Sequence, residues 1–433
     1  MNKFNDSIGD KRIMASTQGT EEPINSGLST REILNKTPVP EATRIARRQF
    51  LKLSAMFTAA GALPLLDMAK AARAAEPDAP LRIGYLPITD ATPLLVAHHN
   101  GLFEQQGLKV EQPRLFRSWA QIVEAFLAGQ VNAVHLLSPM TVWARYGSKA
   151  KARVVAWNHM SGSGLTVQPN VNTIADLAGT TVAIPFWYSL HNVVLQHLLK
   201  SKGLEPIADG EPGPGQVKLV VMAPSDMVPA LANKQIAGFT VAEPFNANAE
   251  VLKVGKILRF TGDVWKDHAC CVVLMHEADL EQRPEWSQKV VNAIVQAQAW
   301  IQDNRQETAR ILSRDNPQKY TPHTYEALAN VLEPERLDAA LYERNGAMVN
   351  TAWKQKRIDF QPYPFPSYTE ELIRKLQGTL VSGRNDFLLE LDPTFVAKDL
   401  VDDRFVRKAI LSTGGPAAFG LTDSFTREEI ITV

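Results

Sequence analysis

Short apolar runs alternate with segments of helical periodicity along most of the chain. The clearest case begins with the apolar run Leu81–Leu86, which predicts a buried strand. A turn-rich segment follows, then a helical pattern over about Thr92–Gln106, with Gly107 at the position of a C-cap glycine. A second strand is predicted over Leu108–Phe116. This order indicates a βαβ unit whose loop lies at the carboxyl end of a strand, where open α/β sheets bind ligands.

The same alternation continues to about residue 282. Ser118 is a suitable N-cap for a helix that runs to Ala128. From Arg283 onward the pattern is largely helical, with long helices predicted over Pro284–Asp303 and Gln306–Arg314. Alternating strands and helices predict an α/β protein with mostly parallel sheets covered on both faces.

The N-terminal segment has the features of an export signal. A polar leader ends in a basic pair, an apolar stretch follows over Leu53–Leu66, and small residues stand at Ala72–Ala74. The apolar stretch is shorter than the roughly 20 residues that a membrane-spanning helix needs. The segment resembles a bacterial twin-arginine signal, which predicts removal of residues 1–74, a periplasmic location and passage through the twin-arginine translocase. The signal residues are Arg47, Arg48, Phe50 and Leu51. The alternative is an amphipathic helix with a chance arginine pair.

Composition narrows the classes of function. The chain has 433 residues with 46 basic and 46 acidic side chains, of which residues 1–75 hold 11 and 7. The remainder therefore carries 35 basic and 39 acidic residues, and this mildly acidic body argues against nucleic acid as a partner. The sequence contains no P-loop, GxGxxG or zinc-finger spacing, so we predict neither a cofactor nor a metal site.

Six motifs, in order, resemble the periplasmic solute-binding proteins of ABC importers, in the nitrate/sulfonate/bicarbonate family and nearest its nitrate/bicarbonate branch. They span about residues 82–300 and read GYLPITDATPLLVAHHNGLFEQQGL, HLLSPM, VAIPFWYSLHNVVLQHLL, VVMAPSDMVPAL, GFTVAEPFNANA and WKDH. The resemblance implies a two-lobed, type II-like periplasmic-binding-protein fold with a ligand cleft and hinge closure. The expected division is 75–180 for the first part of lobe 1, 181–262 for lobe 2, and 263–433 for the return to lobe 1 and a helical C-terminal extension.

The resemblance also implies the function. The expected protein is a monomeric, non-enzymatic component that captures a small anion or small polar organic solute and delivers it to an ABC permease with its ATPase. Two alternatives stay open. One is a cysteine-using enzyme on the same fold, desulfinase-like or pyrimidine-precursor-forming, with Cys271 and His191 as the reactive pair. The other is a periplasmic sensor partner that binds the same solute.

Several polar or aromatic residues stand where strands end or helices begin. Trp119 could form a flat wall of the cleft, and its counterpart lines the site in the nitrate branch; the alternative is a core tryptophan. His191 opens a helix, and the resemblance implies ligand contact there; the alternative is a capping or buried histidine. Ser163 stands where the nitrate branch carries glutamine, which implies a different pocket. The candidate ligand-binding residues are Thr89, Asp90, Trp119, Ser163, His191, Glu243 and Cys271.

Two further candidates also have structural alternatives. Glu243 could bond lobe or loop backbone groups instead of solute, and Asp90, which ends the first strand with Thr89, could start the helix or stabilise the loop. His98 and His99 are adjacent on a predicted helix, where they diverge by about 100° and cannot readily chelate one metal.

The adjacent cysteines are the main departure from the resembling family, whose nitrate branch carries a charged residue near the position of Cys271. Three interpretations stay open. Cys270 and Cys271 are small apolar residues of a buried strand, or one presents a thiol to the pocket, or the pair forms a vicinal disulfide or a soft-metal site with His268 or His276. Strand alternation predicts that at most one of the two faces the cleft.

Overall fold

The computed structural model describes residues 79–353 and 356–433; the export-signal residues Arg47, Arg48, Phe50 and Leu51 and the small-residue site at 72–74 lie outside them. The strands are β1 Ile83–Tyr85, β2 Arg114–Leu115, β3 Ala133–Leu137, β4 Ala152–Trp157, β5 Met160–Ser161, β6 Ser163–Val167, β7 Thr180–Ile184, β8 Glu205–Ile207, β9 Gln216–Val221, β10 Gly238–Ala242, β11 Lys256–Phe260, β12 Cys271–His276 and β13 Ile358–Asp359.

The α-helices are α1 Thr92–His99, α2 Leu102–Gln105, α3 Trp119–Leu127, α4 Ser138–Val142, α5 Leu190–Ser201, α6 Pro224–Ala232, α7 Phe245–Val251, α8 Glu277–Gln282, α9 Pro284–Asp303, α10 Arg305–Leu312, α11 Tyr325–Leu332, α12 Ala339–Arg344, α13 Pro366–Gln377, α14 Pro393–Leu400 and α15 Arg404–Ser412. Among the described residues, none of these helices is both long and apolar enough to cross a bilayer.

Two main sheets carry the two lobes. The first has the order β2-β1-β3-β12-β4, in which β1 runs parallel to β2 and β3, while β12 is antiparallel to both of its neighbours. The second has the order β11-β6-β10-β7-β9-β8, with parallel pairing from β10 to β8. Helical connections between parallel strands cover the sheets, and β3 and β10 are buried along their whole length. The predicted α/β class and the two-lobed fold are confirmed.

Two chain segments cross between the sheets. Residues 158–162 lead from β4 to β6, and residues 261–270 lead from β11 back to β12. One edge of the first sheet contains the carboxyl ends of β1, β3 and β4 and the start of β12. The residues that follow β1, β3 and β4, and those that precede β12, therefore lie beside the crossing segments. This edge faces the place where β10 ends and β6 begins in the second sheet.

Two predicted elements differ from the structure. The helix predicted over Thr92–Gln106 is broken into α1 and α2, since Gly101 adopts a left-handed conformation (φ 64°) between them. The strand predicted over Leu108–Phe116 pairs only at Arg114–Leu115, apart from an isolated bridge of Val110 to Leu81. The prediction that Ser118 caps a helix is confirmed by its acceptance of a hydrogen bond from the Gln121 amide, and α9 begins and ends as predicted.

The C-terminal part contacts both lobes. Leu380 exchanges hydrogen bonds with Asn192 and Gln196 on α5, whereas α14 and α15 pack against β4. The last residues reach the second crossing segment: the Lys266 amide donates to the Ile430 carbonyl (3.0 Å), and the Thr432 amide donates to the Val264 carbonyl (2.8 Å). The helical C-terminal extension thus spans the two lobes and braces a crossing segment.

Candidate functional site

Polar side chains converge where the crossing segments meet the sheets. Asp90 lies just after β1, His159 just after β4, and His191 in the first turn of α5; Cys270 and Cys271 stand at the start of β12. All five are buried, with at most 1% of each residue exposed to solvent. The fold therefore gathers five chemically active groups in one enclosed place between the lobes.

Four of these groups form a compact set. One ligand-type atom from each of Asp90, His159, Cys270 and Cys271 lies within 4.8 Å of all the others. Nε2 of His159 is 3.0 Å from Oδ2 of Asp90, and the Cys271 amide donates to the same nitrogen at 3.2 Å. This ring nitrogen faces a carboxylate oxygen and an amide hydrogen at once, and no single protonation state satisfies both contacts.

The strand-alternation argument for the cysteines was wrong. It expected at most one of Cys270 and Cys271 to face the cleft, yet both thiols belong to the same compact set. The reason is that β12 begins only at Cys271, so residue 270 is still part of the crossing segment and does not follow the pleat. Both thiols are free.

Backbone contacts hold the cysteines in place. The Ser138 amide donates to the Cys270 carbonyl at 2.9 Å, and the Ser138 hydroxyl is 2.8 Å from the carbonyls of Ala269 and Cys270. The Tyr368 hydroxyl also donates to the Ala269 carbonyl. Since Ser138 opens α4 at the end of β3, the first sheet itself positions the thiols.

A second group joins the first through the thiol of Cys270. Its Sγ is 3.7 Å from Nε2 of His191, and the same nitrogen is 3.0 Å from the Ser163 hydroxyl. The Ser163 carbonyl accepts from the Thr261 hydroxyl (3.0 Å), which in turn accepts from Nε2 of His268 (2.9 Å). The predicted residues Ser163 and His191 are therefore brought together with Cys270, not with Cys271.

Charges in the compact set are strongly perturbed. Burial raises the pKa of Asp90 to about 6, against the opposing effect of His159. Burial alone would lower the pKa of His159, but the neighbouring Asp90 carboxylate raises it to about 10. Burial opposes ionisation of Cys270, yet hydrogen bonds from Cys271, His159 and His191 bring its pKa well below the usual value, while burial and the Cys270 thiolate raise that of Cys271. The directions of these shifts favour the charged forms of His159 and Cys270 and the neutral thiol of Cys271.

Two further histidines stay neutral. Burial lowers the pKa of His135 and of His268 to about 3. Nε2 of His135 accepts from the Leu86 amide at 2.8 Å, so its proton lies on Nδ1. The ring of Trp119 packs on His135 with centroids 5.5 Å apart. Trp119 is thus buried beside the cluster, on the side of the first sheet.

Glu243 and Thr89 make contacts within the protein. Oε1 of Glu243 accepts from Nη2 and Nε of Arg357 at 2.6 and 3.0 Å, and Oε2 accepts from the Ala247 amide at 3.0 Å. The amide and hydroxyl of Thr89 both donate to the Glu243 carbonyl, at 2.9 and 3.0 Å. These contacts favour the interpretation that Glu243 and Thr89 hold the lobes in place.

The other histidines considered from the sequence lie apart from the compact set. His98 bonds the Tyr320 hydroxyl at 2.6 Å, and His99 lies beside it. The ring of His276 stacks on Phe126 with centroids 3.9 Å apart. Of the proposed soft-metal partners, neither His268 nor His276 belongs to the four-member set; His159 and Asp90 do.

His159, Asn158 and Cys270 were not among the predicted site residues. His159 and its neighbour directly follow the buried strand β4, and a residue placed after the end of a strand was the only sequence signal available for them. Several buried polar atoms of the cluster have no hydrogen-bond partner among the described residues. They are Nε1 of Trp119, Nδ1 of His135, His159, His191 and His268, and both amide atoms of Asn158.

Such a concentration of unpartnered polar atoms is costly in a protein interior unless a ligand completes their bonding.

Residues 74–313 match the model of the NMT1-like family. Among curated proteins, the chain is 27% identical over 255 residues to the nitrate/nitrite binding protein NrtA of Nostoc sp., covering 54% of this chain and 56% of that protein. It is 24% identical over 323 residues to the bicarbonate transport ATP-binding protein CmpC of Synechococcus elongatus, covering 68% of this chain and 47% of that protein. The chain thus spans about half the length of the curated relatives it matches.

The fold has solved counterparts. The crystal structure of the periplasmic nitrate-binding protein NrtA from Synechocystis superposes with a TM-score of 0.62 at 19% identity, covering 80% of this chain and 92% of that one. This likeness supports the periplasmic-binding-protein architecture of two sheet-based lobes.

Proposed function

Because the chain belongs to the NMT1-like family, we propose that it is the solute-binding component of an ABC importer. It captures a small anion or small polar organic solute and delivers it to a permease. The observation that carries this proposal is the buried polar cluster between the lobes, in which Trp119, Asn158 and His191 offer hydrogen-bonding atoms that have no partner within residues 79–353 and 356–433. A solute enclosed there would complete those bonds.

The arrangement fits capture by lobe closure. Ser163 and His191 come from the second sheet and α5, whereas Asp90 and Trp119 come from the first lobe, so a solute between them contacts both lobes. Since the cluster is buried, the lobes must separate to admit the solute and close to hold it.

The relatives support a proposal for the location and the partners. The similar proteins include a periplasmic nitrate-binding protein and an ATP-binding component of bicarbonate transport. We propose accordingly that this chain acts in the periplasm as a monomer, with a permease and its ATPase as partners and without catalysing a reaction. The segment at Arg47–Arg48 would deliver it through the twin-arginine translocase.

Ligand binding is testable by thermal unfolding of the full-length chain with nitrate, bicarbonate, alkanesulfonates, cyanate and amides. A bound solute stabilises the protein by RT ln(1 + [L]/Kd) and is recovered unchanged. We expect Ser163→Ala and His191→Ala to weaken binding at least tenfold, because each removes a buried hydrogen-bonding group worth about 1.5 kcal/mol or more. Ser201→Ala, an exposed position on the same helix α5, is the matched control. Unchanged affinity in both site variants would remove the cluster from consideration as the solute site.

The 3.7 Å contact of Cys270 with His191 favours a second candidate, a cysteine-dependent enzyme. The thiolate–imidazole pairing that such an enzyme needs is formed by Cys270, not by the Cys271 suggested from the sequence. Product analysis of each stabilising solute separates the two functions. Turnover that is lost in Cys270→Ser would establish the enzyme and exclude simple binding.

Export is tested separately. The double substitution of Arg47→Lys with Arg48→Lys should leave the protein in the cytoplasm, because twin-arginine transport requires the arginine pair. Fractionation of cells followed by immunoblotting measures this, and undiminished periplasmic protein would refute the assignment.

A further inference from the structure

We propose that Asp90, His159, Cys270 and Cys271 bind one thiophilic transition-metal ion of the Zn²⁺ class. Four potential ligand atoms lie within 4.8 Å of one another, and all four residues are fully buried. In tetrahedral zinc sites, bonds of about 2.3 Å to sulfur and 2.0–2.1 Å to nitrogen place ligand atoms about 3.3–3.8 Å apart. To surround an ion, the wider spacings of the set, up to 4.8 Å, must shorten, and the 3.0 Å contact between His159 and Asp90 must lengthen slightly.

The donor types match one class of ion. Two cysteine sulfurs, an imidazole nitrogen and a carboxylate oxygen are ligands that proteins use for Zn²⁺, whereas Mg²⁺ and Ca²⁺ take oxygen ligands. Thiolate donors also select against the harder divalent ions. Because the cysteines are adjacent, the set lacks the spaced cysteine pairs of a zinc ribbon, and a search for such motifs misses it.

Tertiary structure assembles the set without a local loop. Asp90 comes from the turn after β1, His159 from the first crossing segment, and the cysteines from the end of the second crossing segment and the start of β12. The backbone beside Cys270 is fixed by Ser138 and Tyr368. Ligands held by independent rigid elements form a preorganised site.

The four side chains leave bonding capacity unused. Within the part of the chain that the structure describes, the Asp90 carboxylate accepts no backbone hydrogen bond, and its neighbours are the His159 imidazole at 3.0 Å and the Cys271 thiol. No described lysine or arginine hydrogen-bonds to any of the four side chains. A buried carboxylate and two ionisable thiols hold more potential negative charge than one imidazole can offset, and a divalent cation supplies the balance.

The position of the site has a structural consequence. The ion would join both crossing segments to the loop after β1, which are the parts of the chain that set the relation between the lobes. Metal binding would therefore stabilise one arrangement of the crossing segments as well as the fold, independently of which solute the cleft accepts.

Titration of the reduced, chelator-treated full-length chain with Co²⁺ under anaerobic conditions tests the proposal. We expect one equivalent of Co²⁺ to give thiolate-to-metal charge-transfer absorption that Zn²⁺ abolishes. Cys270→Ser and Cys271→Ser should each remove about half of that absorption, since each sulfur contributes one Co–S bond. Asp90→Asn and His159→Gln should keep the absorption but weaken binding at least roughly tenfold. His99→Gln and His276→Gln lie outside the set and should change neither the charge-transfer absorption nor the affinity for Co²⁺.

The proposal would be overturned if the charge-transfer absorption were absent. It would also be overturned if the absorption survived in the double variant that combines Cys270→Ser with Cys271→Ser. Should the cysteine variants fail to fold, X-ray absorption of the unaltered zinc-loaded chain decides the matter. The chain's two cysteines are Cys270 and Cys271, so cysteine sulfur in the first shell must come from this site. Two sulfur neighbours at about 2.3 Å support the assignment, and a shell of nitrogen and oxygen alone refutes it.

Discussion

The ion pair between Arg357 and Glu243 should be one of the costliest contacts to break. Side-chain exposure is 4% for Arg357 and 1% for Glu243, and the two are joined by a 2.6 Å contact. Arg357→Met keeps most of the aliphatic stem but removes the charged guanidinium, whose central carbon lies 5.4 Å and 5.9 Å from the ring centroids of Phe260 and Tyr342. Glu243 is then left buried with the Ala247 amide as the only hydrogen-bond donor to its carboxylate among the described residues.

The expected loss is about 3–5 kcal/mol, the usual cost of leaving a buried charge unpaired. The second partner, Glu250, adds little because its side chain is 25% exposed and can return to water. Burial already raises the pKa of Glu243, and Arg357 opposes this. Without Arg357 the folded-state pKa rises further above the unfolded value, so the penalty is full at neutral pH and shrinks as the pH falls and Glu243 takes up a proton.

Urea unfolding of the full-length chain, followed by circular dichroism, measures this loss. Arg357→Met combined with Glu243→Gln should be more stable than Arg357→Met alone, because no buried charge remains. Arg374→Met is the matched control: that arginine is 52% exposed and pairs with Glu370 and Glu371, so its removal should cost no more than about 1 kcal/mol. A loss below 1 kcal/mol for Arg357→Met, or a double variant worse than the single one, would refute the reasoning.

Three further predictions concern the scaffold. Burial lowers the pKa of His323 to about 4 from an ordinary 6.5, so the stability it contributes is present above pH 6.5 and is lost towards pH 4, by up to about 3 kcal/mol. His323→Gln should flatten this part of the pH dependence in urea unfolding, and a pH profile identical to the parent's would count against it. In Gly238→Ala the new Cβ would lie 2.9 Å from the Thr166 carbonyl oxygen, which should cost about 1–3 kcal/mol, whereas Gly215→Ala meets nothing within 4 Å and should stay within about 0.5 kcal/mol. Equal unfolding midpoints for the two alanine variants would contradict this. Ser118→Ala should lower stability by about 1 kcal/mol through loss of its helix cap, and an unchanged thermal midpoint would show that the cap contributes nothing.

Local periodicity predicts correctly those helices and strands whose ends are determined by residues close in sequence, such as a capping side chain. Ser118 caps α3 because its hydroxyl needs only the amide three residues onward, and α9 follows from its own apolar face. The helix after β1 was predicted too long, since Gly101 can serve either as a helix residue or as a left-handed break, and only packing decides. The short β2 shows the same limit: extended backbone becomes a strand only where a partner strand pairs with it.

The site was predictable only in part, because its members are joined by tertiary contacts. Ser163 and His191 stand at element ends, where sequence reasoning searches, and they do meet. His159 has no motif around it, and its relation to Asp90 exists only once β1 and β4 lie in one sheet. Likewise, the sequence around Glu243 suggests a ligand residue, because it does not reveal that Arg357, far along the chain, pairs with the Glu243 carboxylate.

The hydrogen bonds of the last residues limit how early the crossing segment at 261–270 can reach its final structure during synthesis. Its bonds from Lys266 to Ile430 and from Thr432 to Val264 cannot form until synthesis has reached the end of this sequence. At about 5–20 residues per second, the ribosome needs roughly 8–33 s to pass from residue 266 to residue 432. Once residue 276 has been made, every strand of both main sheets has been synthesised, while the connection between the sheets still lacks these bonds. The crossing segment at 261–270 therefore acquires these bonds only after the strands of both sheets have been synthesised.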